Sequence, residues 1–189
     1  MADRVDRTEV TQRAHRVFLE RGRIDLSLRQ IGAAIDVSAR MLVYYFGNRE
    51  QLIVAVLAYE RKLQQAMLTE LVARGGGPID LLRAYFHAMT EPARRGRLRF
   101  FFDLVAEAQR HPERYEAFLK HDLVEYWREL MSRFVREAGH GTLRWEQLAV
   151  VLAAARGLYL EVLSTNDTLS VRRSYEYMLD HFAAALEAS

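Results

Sequence analysis

The chain is 189 residues long, half of them apolar and 28% charged, a balance that excludes a disordered polyelectrolyte and allows a buried core. It contains no cysteine, which excludes disulfides and thiolate metal sites and makes a reducing cytoplasm the expected setting. Net charge is only +2, yet all of that excess falls in residues 1–50, where nine Arg face seven Asp and Glu; a nucleic-acid surface would profit from it there.

The first ten residues mix charges and lack an apolar stretch, so no signal peptide is expected. The longest purely apolar run, residues 148–155, stops at Arg156, short of a bilayer span, so the expectation is a soluble protein with no membrane partner. The three prolines, Pro78, Pro92 and Pro112, and the glycines near 22, 47, 75–77, 96 and 139–141 read as joints. Between them apolar residues recur three and four apart and no alternating run suggests a sheet. The fold class is all-α, with nine helices predicted at about 6–21, 28–35, 39–45, 49–73, 79–91, 97–110, 113–138, 144–164 and 169–187. Residues 1–50 form a three-helix head, and residues 51–189 a helical bundle that the long fourth helix joins to it.

Ser27 is placed to cap the second helix, whose inner face is Leu28, Ile31 and Ile35. Ser38 caps the third helix after a turn of about three residues, which makes the pair a helix-turn-helix. In the third helix Leu42 and Phe46 should face inward, with Arg40, Met41 and Tyr44 outward. Arginine suits guanine edges, while the hydroxyls of Tyr44 and Tyr45 suit phosphates. Asn48, with Gln51 three residues on, reads as the cap of the fourth helix, and its N-terminus beside Arg49 as an anion site.

In order, the chain shows Ala14-x-x-x-Phe18-x-x-Arg21-Gly22, Ser27-Leu28-Arg29-Gln30-Ile31-Gly32, Val37-Ser38 and Leu42-Val43-Tyr44-Tyr45-Phe46-Gly47-Asn48-Arg49-Glu50-Gln51-Leu52. The segment from Val10 to Leu57 thereby resembles the DNA-binding segment of the tetracycline-repressor (TetR) family of transcriptional regulators. The sequence departs from the family pattern at Asp36, where glycine is common, at Arg40-Met41, where Gly-Thr is usual, and at Tyr45, which replaces histidine. The resemblance implies a homodimeric repressor of a palindromic double-stranded operator, without cofactor, modulated by a small apolar or aromatic effector. DNA contacts are expected from Ser27, Arg29, Gln30, Ser38, Arg40, Met41, Val43, Tyr44, Tyr45, Asn48 and Arg49.

Past Leu57 the reading rests on side-chain chemistry. Aromatics and methionines between bundle helices suit an adaptable apolar pocket as well as a core. Met67, Tyr85, Met89, Phe101, Trp127, Met131 and Tyr159 are the effector-pocket candidates, with His87 as a polar anchor. Phe100, Phe101 and Phe102 spread over about 200° of a helix and so cannot share one core. Ala149, Ala153 and Gly157 form a smooth strip on the eighth helix, and Tyr175, Met178 and Phe182 a stripe on the ninth; together they are the expected dimer interface. No phosphate-binding loop, dinucleotide fingerprint or nucleophile elbow occurs, and the spacing of His121 and Glu125 lacks a third metal ligand, so no enzyme is expected. The rival is a ligand-binding or partner-binding helical protein whose head has lost affinity for DNA.

Overall fold

Each of the first four helices starts on a short polar side chain that accepts a backbone N–H. In the computed structural model, which describes residues 6–116, 118–137 and 145–187, Asp6 caps α1 (Arg7–Arg21), Ser27 caps α2 (Leu28–Ile35), Ser38 caps α3 (Ala39–Phe46) and Asn48 caps α4 (Arg49–Ala73). Ser27 and Gln30 cap reciprocally: Ser27 N–H donates to Gln30 Oε1 at 2.9 Å, and Gln30 N–H to Ser27 Oγ at 3.3 Å. Asn48 Oδ1 accepts the Gln51 N–H at 2.8 Å. The body continues with α5 (Pro78–Met89), a 3-10 turn at Pro92–Arg94, α6 (Arg95–Arg110), a π-helical stretch at Phe118–Glu125 running into α7 (Tyr126–Glu137), α8 (Trp145–Thr165) and α9 (Thr168–Glu187).

The described residues are helical throughout with no strand, as the periodicity predicts. Two departures from the predicted helices have a plain physical cause or a different helix type. The fifth helix stops at Met89, because Pro92 has no N–H to continue it and Thr90 caps the end by donating its hydroxyl to the Phe86 carbonyl. The predicted seventh helix is a turn after His111, then the π-helical stretch, then α7. Ala117, Ala138, His140 and the side chain of His121 lie outside the described residues.

Two apolar cores organise the chain, and α6 serves both. The head core joins Val10, Phe18, Ile31, Leu42, Leu52 and Val56 to Phe100, Leu104, Ala108, Tyr115 and Phe118; it therefore runs past residue 50 into the body. The second core gathers Leu68, Phe86, Leu98, Met131, Phe134, Val151, Val162, Tyr175 and Leu179. The three phenylalanines part as helical spacing requires. Phe100 stacks on Phe18 in the head core at 5.6 Å and Phe101 packs against that core half-buried, whereas Phe102 packs against the body core.

Polar bonds fasten the head to the body at the same seam. His15 of α1, itself buried, lies 2.6 Å from Glu60 Oε2 on α4, whose Oε1 meets Arg97 Nε of α6 at 2.7 Å. Asp103 on α6 accepts the Ile24 N–H at 2.6 Å. Arg49 turns back under the head, donating to the Leu26 and Ile24 carbonyls at 3.0 and 2.6 Å with Glu107 3.7 Å away. Gly96 lets α6 press onto α1, since a Cβ there would lie 2.2 Å from the Leu19 carbonyl oxygen.

Close approach also shapes the α2–α3 turn. A Cβ on Gly32 would lie 2.3 Å from the Val37 carbonyl oxygen, while Asp36 ends α2 with a left-handed backbone at φ 57°. Asp36→Gly should therefore stabilise the fold by roughly 0.5–1 kcal/mol, and Gly32→Ala should destabilise it by about 1–3 kcal/mol, both measured by urea unfolding. Arg49→Met strands the two carbonyls that its guanidinium now serves, while Glu107 keeps Arg110 at 3.0 Å, and the same assay should show a loss of about 1–3 kcal/mol.

Candidate nucleic-acid interface and effector chamber

The outward side of α3 follows from its inward one. With Leu42 and Phe46 buried in the head core, helical spacing turns Arg40, Val43 and Tyr44 outward; Tyr44 is 69% exposed and Val43 48%. Met41 and Tyr45 are half-buried, and Tyr45 packs against the head core with its ring centre 5.4 Å from that of Tyr44, edge to face. Ser27, Arg29, Gln30, Ser38 and Asn48 are exposed at or beside the starts of α2, α3 and α4. Arg40 and Tyr44 thus point away from the head core, whereas the Arg49 guanidinium points inward and orders the head from beneath.

A chamber opens between α4, α5, α6, α7 and α8. Its lining includes Leu57, Glu60, Arg61 and Gln64 from α4, with Leu82, Tyr85 and Met89 from α5. Arg97, Phe101 and Leu104 of α6, Trp127 and Met131 of α7, and Leu152, Arg156 and Tyr159 of α8 complete most of the wall. The space between these atoms is about 1010 Å³ with its mouth included, an upper bound on what a ligand fills. Tyr85 and Trp127 meet edge to face at 5.5 Å. Burial raises the Tyr85 and Tyr159 hydroxyls far above their ordinary value, so both remain neutral donors.

Of the eight predicted pocket residues, Tyr85, Met89, Phe101, Trp127, Met131 and Tyr159 line this chamber. His87 does not: the lining positions of α5 are Leu82, Tyr85 and Met89, and two residues past Tyr85 the helix has turned about 200°. His87 lies instead 2.7 Å from Glu176 of α9. Met67 lies beyond the chamber wall, where the Arg94 guanidinium meets its sulfur. Glu60, Arg61, Arg97 and Arg156 are chamber residues that apolar patterning misses. A charged residue on an otherwise apolar stripe, as Arg156 is after residues 148–155, was the available signal.

The expected interface residues divide. Ala153 and Gly157 lie on an open side of α8 with Val150 and Leu160, half-exposed apolar side chains, and nothing lies within 4 Å of a Cβ placed on Gly157. Ala149, Met178 and Phe182 are half-buried, the last two against the body core. Tyr175 is turned fully inward, its ring stacked 3.7 Å from that of Phe86; Tyr177, two residues on, is the exposed aromatic of α9. By length and composition α8 could cross a membrane, since an 18-residue window within residues 146–165 has a mean hydropathy of 1.5 despite Arg156. Its inner face, however, is core, with Leu148, Val151, Ala155, Tyr159 and Val162 buried.

Residues 10–56 match the model of the bacterial regulatory proteins of the tetR family. No curated protein matches the chain. Among solved structures, a Rhodococcus sp. protein assigned to the TetR family of transcriptional regulators superposes with a TM-score of 0.74 at 18% identity, covering 92% of this chain and 97% of that one. A transcriptional regulator from Rhodococcus sp. Rha1 gives 0.71 at 17% identity over 90% and 94%, and Salmonella enterica GusR 0.63 at 23% over 92% of each. The chain thus carries the tetR-family helix-turn-helix segment on a helical body with the fold of the TetR-family transcriptional regulators.

Proposed function

We propose that this protein is a cytoplasmic repressor of transcription that binds a palindromic operator as a homodimer and is modulated by a small molecule held in the chamber. The observation that carries this reading is the outward face of α3, with Arg40, Val43 and Tyr44 exposed on a helix fixed by Ser38 at one end and by Leu42 and Phe46 beneath. An arginine flanked by an apolar side chain and a tyrosine hydroxyl suits base edges and phosphate walls together. The N-termini of α2 and α4 add backbone N–H groups for phosphates.

Dimerisation is supported by α8, an apolar helix that leaves Val150, Ala153, Gly157 and Leu160 exposed within the single chain. Covering Val150, Ala153, Gly157 and Leu160 with a second copy removes an apolar strip from water, and a twofold interface of this kind sets two heads against the two halves of a palindrome. No catalytic role is proposed.

Regulation would act through the seam. Glu60 and Arg97 line the chamber and also reach α1 through His15, while Phe100, Leu104 and Phe118 belong to the chamber wall and the head core alike. A ligand that favours one placement of α4 and α6 therefore favours one placement of the heads.

Incubation with a random pool of duplex DNA should enrich a palindrome. Tyr44→Ala should then weaken binding about tenfold for every sequence, and Arg40→Ala should relax preference at one position of each half-site by about 1–3 kcal/mol. A folded protein that enriches no sequence at low salt would contradict the proposal. Gly157→Glu should leave the monomer fold intact but yield a monomer in sedimentation equilibrium, because nothing in the single chain meets the new side chain; a dimer that persists would place the interface elsewhere.

A further inference from the structure

The charged groups of the chamber wall are already engaged within the protein. Glu60 Oε1 takes Arg97 at 2.7 Å and the Gln64 amide at 3.1 Å, and its Oε2 takes His15 at 2.6 Å. The Arg61 guanidinium lies 5.6 Å from the centre of the Tyr126 ring, and Arg156 likewise has an interaction within the protein. A charged ligand would have to break one of these engagements to be neutralised and would leave the former partner unmatched.

Two hydroxyls of the same wall stand differently. Tyr85 of α5 and Tyr159 of α8 are 9% and 8% exposed, and both line the chamber. Their rings are held, Tyr85 edge to face with Trp127 at 5.5 Å and Tyr159 stacked with Phe86 at 5.0 Å. Among the described residues neither hydroxyl has a hydrogen-bond partner. Neither oxygen is sealed off by packing, so both can be reached from the chamber. They are also neighbours, since Tyr85 adds to the burial that keeps Tyr159 neutral. A phenol shares its oxygen density with the ring and so donates better than it accepts. The matching group is an acceptor without a hydrogen of its own, and a carbonyl oxygen has two lone pairs for two such donors. In apolar surroundings, pairing these hydroxyls counts for more than it would in water.

We propose that the chamber takes an uncharged carbonyl compound with an aromatic body, its carbonyl oxygen accepting from the Tyr85 and Tyr159 hydroxyls and its body against Phe101, Trp127 and Met131. The inference rests on the reading of the chamber as the effector site and adds to it the charge and the polar group of the ligand.

Titration calorimetry on the full chain tests this with benzophenone, the diphenylethene in which a methylene replaces its oxygen, diphenylacetate and benzhydrylammonium. Benzophenone should bind about tenfold more tightly than its methylene analogue and more tightly than either ion. Tyr85→Phe and Tyr159→Phe should each reduce that preference about threefold, and together erase it, with the affinity of the methylene analogue unchanged. Neither variant breaks a hydrogen bond within the protein, so their urea midpoints should match that of the parent. A marked fall in either midpoint would reveal a protein partner for the hydroxyl and overturn the proposal. Equal affinity for ketone and methylene analogue, or preference for an ion, would overturn the carbonyl assignment while leaving the chamber a ligand site. A preference that survives in the folded double variant would remove the two tyrosines from the role. Failure of all four probes to bind would overturn the effector reading, and the carbonyl assignment with it.

Discussion

Everything the head can do depends on how three carboxylates of α4 and α6 hold it. Glu60 engages His15, Asp103 takes the Ile24 N–H, and Glu107 stands behind Arg49, which holds the Ile24 and Leu26 carbonyls. Buried carboxylates held in this way add little net stability, because their desolvation offsets the attraction of their partners. The apolar seam of Phe18, Phe100 and Leu104 supplies the driving force. What the polar bonds add is direction: slipping α1 along α6 would leave buried charges unpaired, at several kcal/mol, so the head has one seat.

This seat makes the chamber and the head neighbours. Helix α4 runs between them, as a chain-level reading suggests, but α6 is an equal partner and carries much of the shared wall. A helix serving two cores cannot move for one without moving for the other, since close-packed interiors transmit displacement. On the proposed function, that is why a ligand of modest size can shift the spacing of two DNA-reading heads without touching them.

Much of the fold was legible because local chemistry and global pattern agree. Ser27, Ser38 and Asn48 mark helix starts that the structure confirms through their bonds, and the stripe of Leu42 and Phe46 orients α3 unaided. Asp36 occupies the left-handed position without the expected glycine and the turn still forms, since a short polar side chain tolerates that backbone better than most. Tertiary partners were not legible. Tyr115 and Phe118 fall within the helix predicted at 113–138, yet they close the head core. Tyr175 shares a stripe with Met178 and Phe182, but only the fold shows that Phe86 receives its ring. Charged chamber residues were missed for a physical reason: apolar periodicity weights the very positions a polar pocket residue vacates.

The claim most exposed to test is that head and body form one cooperative unit. Because the chain has no native cysteine, Ala33→Cys on the exposed side of α2 accepts a single fluorophore that reports on the head, while intrinsic tryptophan emission, with Trp127 in the chamber wall, reports on the body. Both signals should be followed through urea unfolding in one sample at one protein concentration. The shared core and the carboxylate seat predict coincident transitions with the same midpoint and slope. A head signal that melts first, leaving the tryptophan transition in place, would show a separately folding head and contradict the account.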